Sequence, residues 1–217
     1  MSMTSPSVSA VYNLLVLDES GSMNAVRHVT LAGFNEIVQT IRGAQEQFPE
    51  QKQFVSFVTF NGLGIKTLLD KQPASQLTEL GPEQYCPDAS TPLYDALGRS
   101  LLRLELQLEG ESNPTVLVSV LTDGEENASR EFTSEAVRAM VQRLETAGWS
   151  FTYMGANHAV EAAAARIAIR TTTRFRQDAA GMQALFEREK KGRASYYEKK
   201  RSGLSSREAE EGYYDQP

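Results

Sequence analysis

The stretch VYNLLVLDESGSMNAV, Val11 to Val26, passes from an apolar block to a polar cluster within one residue. Leu14, Leu15, Val16 and Leu17 leave no polar face, which is the pattern of a strand covered on both sides of a sheet. The strand then stops in Asp18-Glu19-Ser20-Gly21-Ser22, acids and hydroxyls around one glycine. In extended chain, residues 18, 20 and 22 point the same way, and a tight turn at Gly21 gathers them around one point. A second apolar block, TVLVSVLTD from Thr115 to Asp123, again ends in an aspartate.

Around these blocks, strand and helix signals alternate. Val26, Val29, Phe34, Ile37, Val38 and Ile41 recur at helical spacing, which predicts a long amphipathic helix over 23–48. Gln53 to Asn61 reads as a strand, and IKTLLD returns beside it after the Gly62-Leu63-Gly64 turn, giving a hairpin. Lys71 to Ser90, with Pro73, Gly81, Pro82 and Pro87, reads as a surface loop long enough to expect function of it. Pro92 opens the next helix, as proline is favoured at the first helical position. Thr133 or Ser134 caps the helix EAVRAMVQRLETAG; WSFTYMG is a strand, HAVEAAAARI a helix, TTTRFR an edge strand and AAGMQALFEREKK a helix. No internal repeat at a fixed period is present. The alternation predicts an α/β fold: a mostly parallel sheet, one antiparallel strand at an edge, and helices on both faces. Ligand crevices of such sheets lie at the carboxyl ends of the strands, where strand order reverses. Asp18 and Asp123 are both delivered to that edge.

The 217 residues suit one α/β domain with a tail: a flexible amino terminus over 1–10, the domain over 11–186, and a charged tail or helical extension over 187–217. A net charge of -6 argues against a general nucleic-acid binder, which needs a basic face. Cys86 is the only cysteine, so an internal disulfide framework and a cysteine-based zinc site are excluded, in keeping with a reducing compartment. MSMTSPSVSA lacks the basic and apolar regions of a signal peptide, and no apolar run is long enough to span a bilayer. The expectation is a cytoplasmic protein with no membrane contact.

Three segments compete to share one site: Asp18 to Ser22, Ser90-Thr91-Pro92 and Thr122-Asp123-Gly124. Two carboxylates and three hydroxyls form a hard, all-oxygen set. It suits Mg²⁺, with Mn²⁺ or Ca²⁺ as substitutes, and does not suit zinc. Mg²⁺ takes about six oxygens, so a position is left for water or an outside donor. With one aspartate bound directly, the metal keeps electrophilic character and favours an anionic ligand such as a partner's Asp or Glu.

LDESGSM, STPLYDAL and LTDGEEN resemble the three segments of the metal-ion-dependent adhesion site in von Willebrand factor type A domains. That pattern, Asp-x-Ser-x-Ser followed by a distant Thr and a distant Asp, maps onto Asp18, Ser20, Ser22, Thr91 and Asp123 without departure. The resemblance extends from about Val11 to Leu185. It implies a Rossmann-like, doubly wound fold in which Ser20 and Ser22 bind the metal directly. It also implies that Thr91 and Asp123 exchange direct for water-mediated contact between open and closed states. The site, intact by pattern, then serves as a metal-dependent adaptor that captures an acidic residue of a partner protein rather than as an enzyme. Stand-alone domains of this kind in bacteria work beside AAA-type ATPases, kinases or phosphatases, or in stress and defence systems.

Simpler and rival readings stand beside this one. Ser22 or Asn24 is a good N-cap for the helix that follows. Glu125 and Glu126 read as solvated acids or as groups behind the ligands, and Gly155-Ala156-Asn157-His158 as a turn plus a cap. His28, His158 and Cys86 have no sequence partners that suggest nucleophilic catalysis. A metal-dependent phosphotransferase with Asp18 as nucleophile, as in haloacid-dehalogenase-like enzymes, needs a second carboxylate where the chain has Ser20, and a lysine the sequence does not place. A structural subunit would self-associate through the metal site or the tail. The tail's balanced charge and low aliphatic content predict weak self-packing, hence disorder or a projecting helix; the alternative is recruitment through Tyr196-Tyr197 and Tyr213-Tyr214.

Overall fold

The computed structural model describes residues 9–111, 113–156 and 159–215. Six strands, β1 (Ser9–Asp18), β2 (Gln51–Asn61), β3 (Gly64–Pro73), β4 (Thr115–Thr122), β5 (Trp149–Ala156) and β6 (Thr171–Phe175), form one sheet in the order β3-β2-β1-β4-β5-β6. Every pairing is parallel except β2 with β3, the hairpin read from the Gly62-Leu63-Gly64 turn. Strand order reverses between β1 and β4, so Asp18 and Asp123 end neighbouring strands. The fold is the expected doubly wound, Rossmann-like sheet.

The apolar block of β1 is explained by its two covered faces. Leu15 and Leu17 pack with α1 (Arg27–Gln47) and α5 (Ala179–Arg201), through Phe34, Ile41, Leu185 and Phe186. Leu14 and Val16 alternate to the other face, beneath α2 (Leu93–Gln107), α3 (Ser134–Thr146) and α4 (Val160–Arg166), where Leu97, Leu101, Val141 and Ala164 meet them. Thr133 caps α3 by accepting from the Ala136 N–H at 3.2 Å. Among the described residues no helix is long and apolar enough to cross a membrane.

Several boundaries differ from expectation. Residues Gly21–Val26 form a 3-10 turn and α1 starts at Arg27, with the Gly21 N–H donating to the Ala89 carbonyl at 3.0 Å. Pro92 sits in the cap position before α2 rather than inside its first turn. The segment 71–90 is more than a surface loop: β3 continues to Pro73, and Ala74, Leu77, Leu80 and Tyr85 are buried. The turn over residues 155–158 includes two positions, 157 and 158, that lie outside the described residues, as do residues 1–8 of the amino terminus.

The largest correction concerns the tail. The boundary at 186 falls inside α5, which runs to Arg201, and α6 (Ser206–Glu210) follows it. The helical extension is present, but it packs on the sheet and does not project, and over residues 187–215 it is ordered into the core. Arg193 and Glu189 are fully buried on the sheet, 2.7 Å apart, and Arg193 also donates to Asn13 Oδ1 at 2.8 Å and Ser119 Oγ at 2.6 Å. The Tyr213 and Tyr214 hydroxyls donate to the two Glu189 oxygens, each at 3.0 Å. Gly192 permits this closure, since a Cβ there would collide with the Tyr213 carbonyl. The charges that suggested solvation satisfy one another inside the core.

Glu210, where α6 docks, yields a pH prediction. Burial pushes its carboxyl from 4.5 up to about 7, with Glu145 adding repulsion against the hydrogen bond from Thr171. A carboxyl raised in the folded state binds protons more tightly there than in the unfolded chain. The resulting penalty is absent below pH 4.5 and complete above about pH 7, where it reaches about 3 kcal/mol. Glu210→Gln removes it, so urea unfolding at pH 8 should show a gain of about 2–3 kcal/mol, and at pH 4 no gain. Equal effects at both values would refute the assignment.

Candidate functional site

At the carboxyl edge of the sheet the three predicted segments meet. Asp18, Ser20, Thr91 and Asp123 are buried, and Ser22 is exposed at the mouth. The Ser20 N–H donates to Asp18 Oδ1 at 2.7 Å, which bends the chain back over its own aspartate. The Ser20 and Ser22 hydroxyls lie 3.2 Å apart, and Ser22 donates to Asp123 Oδ1 at 2.7 Å. Neither Ser22 nor Asn24 caps a helix through its side chain. Thr91 enters from the loop before α2: a Cβ on Gly124 would sit 3.1 Å from Thr91 Oγ1 and 3.8 Å from Asp18 Oδ2. Gly124 therefore keeps the space between the second and third segments open.

Four residues beyond the five predicted ligands hold the segments together, two of them, Glu19 and Thr122, from within the predicted segments. Glu19, fully buried, accepts from the Cys86 N–H at 2.7 Å and from Lys66 Nζ at 3.0 Å, tying β1 to the 71–90 segment and to β3. Tyr85 donates its hydroxyl to the Asp18 carbonyl at 2.8 Å. Thr122 donates to Asp18 Oδ2 at 2.6 Å. Gln177, from the β6–α5 connection, donates to Asp123 Oδ2 and to the Ser22 carbonyl, the latter at 2.8 Å. The available signals were an acid in the variable position of the DESGS turn and Lys66 on the paired hairpin. Glu126 is a backbone anchor: it accepts from the N–H groups of Tyr94, Ala128 and Ser129. Asp95 does the same for Arg130, Glu131 and Phe132. These clamps fix the loops that bear Thr91 and Asp123.

Burial dominates the electrostatics of the two carboxylates. Burial pushes Asp18 from 3.8 up to about 6, against the hydrogen bonds from Thr122 and Ser20, and Asp123 adds repulsion. Burial also raises Asp123, against the bonds from Ser22 and Gln177. The Tyr85 hydroxyl is raised well above its usual value by burial and then by Asp18, Asp123 and Glu19. Among the described residues Asp18 forms no ion pair with a Lys or Arg. No cluster of three or more His, Cys, Asp or Glu is placed to hold a metal among them either. The donor set fits only a hard cation that accepts hydroxyls beside two carboxylates.

No protein-family model matches the chain, and no curated protein matches its sequence. Solved structures do match in fold. The PilB minor pilin from Streptococcus sanguinis superposes with a TM-score of 0.62 at 11% identity, over 86% of this chain and 61% of the pilin. The vWF domain of the type V pili tip protein Mfa5 from Porphyromonas gingivalis gives 0.58 at 10% identity, over 83% of this chain and 95% of that one. The SpRpn10 VWA domain gives 0.56 at 8% identity, over 82% and 95%. At such identities the likeness is one of fold. This chain has the fold of a von Willebrand factor type A domain.

Proposed function

We propose that the protein is a metal-dependent protein-interaction module and not an enzyme. Asp18, Ser20, Ser22, Thr91 and Asp123 would hold a divalent cation, Mg²⁺ first and Mn²⁺ or Ca²⁺ as substitutes. When bound, the cation supplies a positive centre for the carboxylate of a partner's Asp or Glu. The carrying observation is the meeting of two buried carboxylates with three hydroxyls at the point where strand order reverses. The chain's own part is to hold those oxygens ready: Thr122 and the Ser20 N–H orient Asp18, and Ser22 orients Asp123 while keeping lone pairs free. We place the protein in the cytoplasm on the strength of its lone, exposed thiol, Cys86, beside partners such as AAA-type ATPase, kinase or phosphatase systems. The test is capture from the source cell's lysate with three baits: wild type in Mg²⁺, wild type in EDTA, and Asp18→Ala in Mg²⁺. A protein held by the first alone is the expected result; capture indifferent to metal and to Asp18 would overturn the reading.

A second reading, a structural subunit, draws support from the pilus proteins that share the fold. Self-association through an acid of one protomer at the next protomer's metal site predicts a mass that grows in Mg²⁺ and collapses in EDTA. Light scattering that gives a monomer in both would remove it.

A further inference from the structure

Beside the predicted cation ligands, at the same edge of the sheet, lies a cavity of about 90 Å³ walled by Tyr94, Gly124, Tyr153, Ala162 and Ala163. Gly124 is common to both places: a Cβ built on it would lie 3.1 Å from Thr91 Oγ1 and 3.8 Å from Asp18 Oδ2. The cavity is smaller than the ~150 Å³ that admits a benzene ring, so it takes a short side chain and excludes an aromatic one. Tyr153 is the polar group in its wall that the fold leaves unused. The residue is 2% exposed, yet among the described residues its hydroxyl makes no hydrogen bond. Burial holds that hydroxyl well above its usual value, and Asp18 and Tyr94 add to the rise, so it stays protonated and able to donate. A buried hydroxyl without a partner is costly, and an incoming acceptor would relieve that cost. The charges around the mouth do not call for an ion. Arg166 and Glu125 bring one charge of each sign, and the Glu126 carboxylate is taken up by the N–H groups of Tyr94, Ala128 and Ser129.

We propose that this cavity seats an uncharged hydrogen-bonding side chain of the partner (serine, threonine, asparagine or glutamine) one or two residues from the acid that meets the cation. The proposal rests on the cation-binding reading above and adds a second feature to the partner segment. Residues two apart in an extended segment point the same way at a spacing of roughly 7 Å, so one short segment reaches the cation and the cavity across the shared Gly124 wall.

The test is an immobilised peptide library with one central Asp and two randomised positions on each side, probed with wild type in Mg²⁺, wild type in EDTA, and Tyr153→Phe and Ala162→Leu in Mg²⁺. Melting is recorded first. Tyr153→Phe should melt at or above wild type, because it removes an unpaired buried hydroxyl and keeps the ring. A clear fall would show that the fold itself uses the hydroxyl and would overturn the proposal. Wild type in Mg²⁺ should enrich Ser, Thr, Asn or Gln at a flanking position. Tyr153→Phe should bind the best such peptide roughly 2–10-fold more weakly, the worth of one uncharged hydrogen bond, and its alanine counterpart as wild type does. Ala162, exposed at the mouth, narrows it when enlarged, so Ala162→Leu should lose the enrichment. Enrichment of other side chains, no enrichment, or one unchanged in either variant would overturn the proposal; a retained need for Asp and Mg²⁺ would leave cation binding intact. Peptide retention no greater in Mg²⁺ than in EDTA would overturn the proposal together with the reading beneath it.

Discussion

Glu189→Gln should destabilise the protein by about 3–5 kcal/mol, a large share of the stability of an ordinary domain. The reason lies in what is left behind. Arg193 is completely buried and cannot lose its proton, and among the described residues Glu189 supplies its only carboxylate, at 2.7 Å. Asn13 and Ser119 contribute neutral acceptors at 2.8 and 2.6 Å, which bind the guanidinium without balancing its charge. Tyr213 and Tyr214 would also lose the ionised acceptor that draws the carboxyl-terminal turn onto α5. Replacing both charges, in Glu189→Leu with Arg193→Met, should cost less than Glu189→Gln alone, because no uncompensated charge remains. Denaturant unfolding of the two variants checks this; a double variant less stable than the single one would contradict it.

Asp18→Asn should show the opposite sign when metal is withheld. The folded state holds the Asp18 carboxyl at about 6 against 3.8, so its ionisation penalises folding fully above about pH 6 and not at all below 3.8. Asparagine removes that penalty, and Thr122 retains a neighbouring acceptor in the Gly124 carbonyl at 3.1 Å. In EDTA at pH 7.5 the variant should gain about 2–3 kcal/mol over wild type. In saturating Mg²⁺ the order should reverse or close. Wild type gains about 2.7 kcal/mol at a hundredfold excess over Kd, whereas the variant gains little. A variant less stable than wild type in EDTA would mean that Asp18 serves the fold rather than a ligand.

Much of this was legible in the chain, for definable reasons. Leu14 to Leu17 announced a strand with two covered faces, and the alternation of these residues between the two cores bears that out. The mostly parallel sheet followed from helices alternating with strands, the neighbouring of Asp18 and Asp123 from strand ends at one edge, and the place of Thr91 beside them from the family resemblance. The tail was misread because composition treats Glu189 and Arg193 as solvated. The neutral acceptors of Arg193, Asn13 and Ser119, interrupt otherwise apolar strands 180 and 74 residues away from it. Those two polar interruptions, together with Gly192 within a charged helix, were the trace of a buried network. Glu19 and Gln177 escaped because each acts through contacts that exist only after folding: Glu19 with the 71–90 segment, Gln177 across the third segment.

The proposed site at this edge of the sheet would hold one hard divalent cation. Electron paramagnetic resonance of Mn²⁺ titrated into the protein measures it directly, since bound ion is lost from the free-ion signal. One Mn²⁺ per wild-type chain is expected, displaced by Mg²⁺, with no such site in Asp18→Asn. A free-ion signal unchanged by stoichiometric wild-type protein, or the same binding in Asp18→Asn, would contradict it.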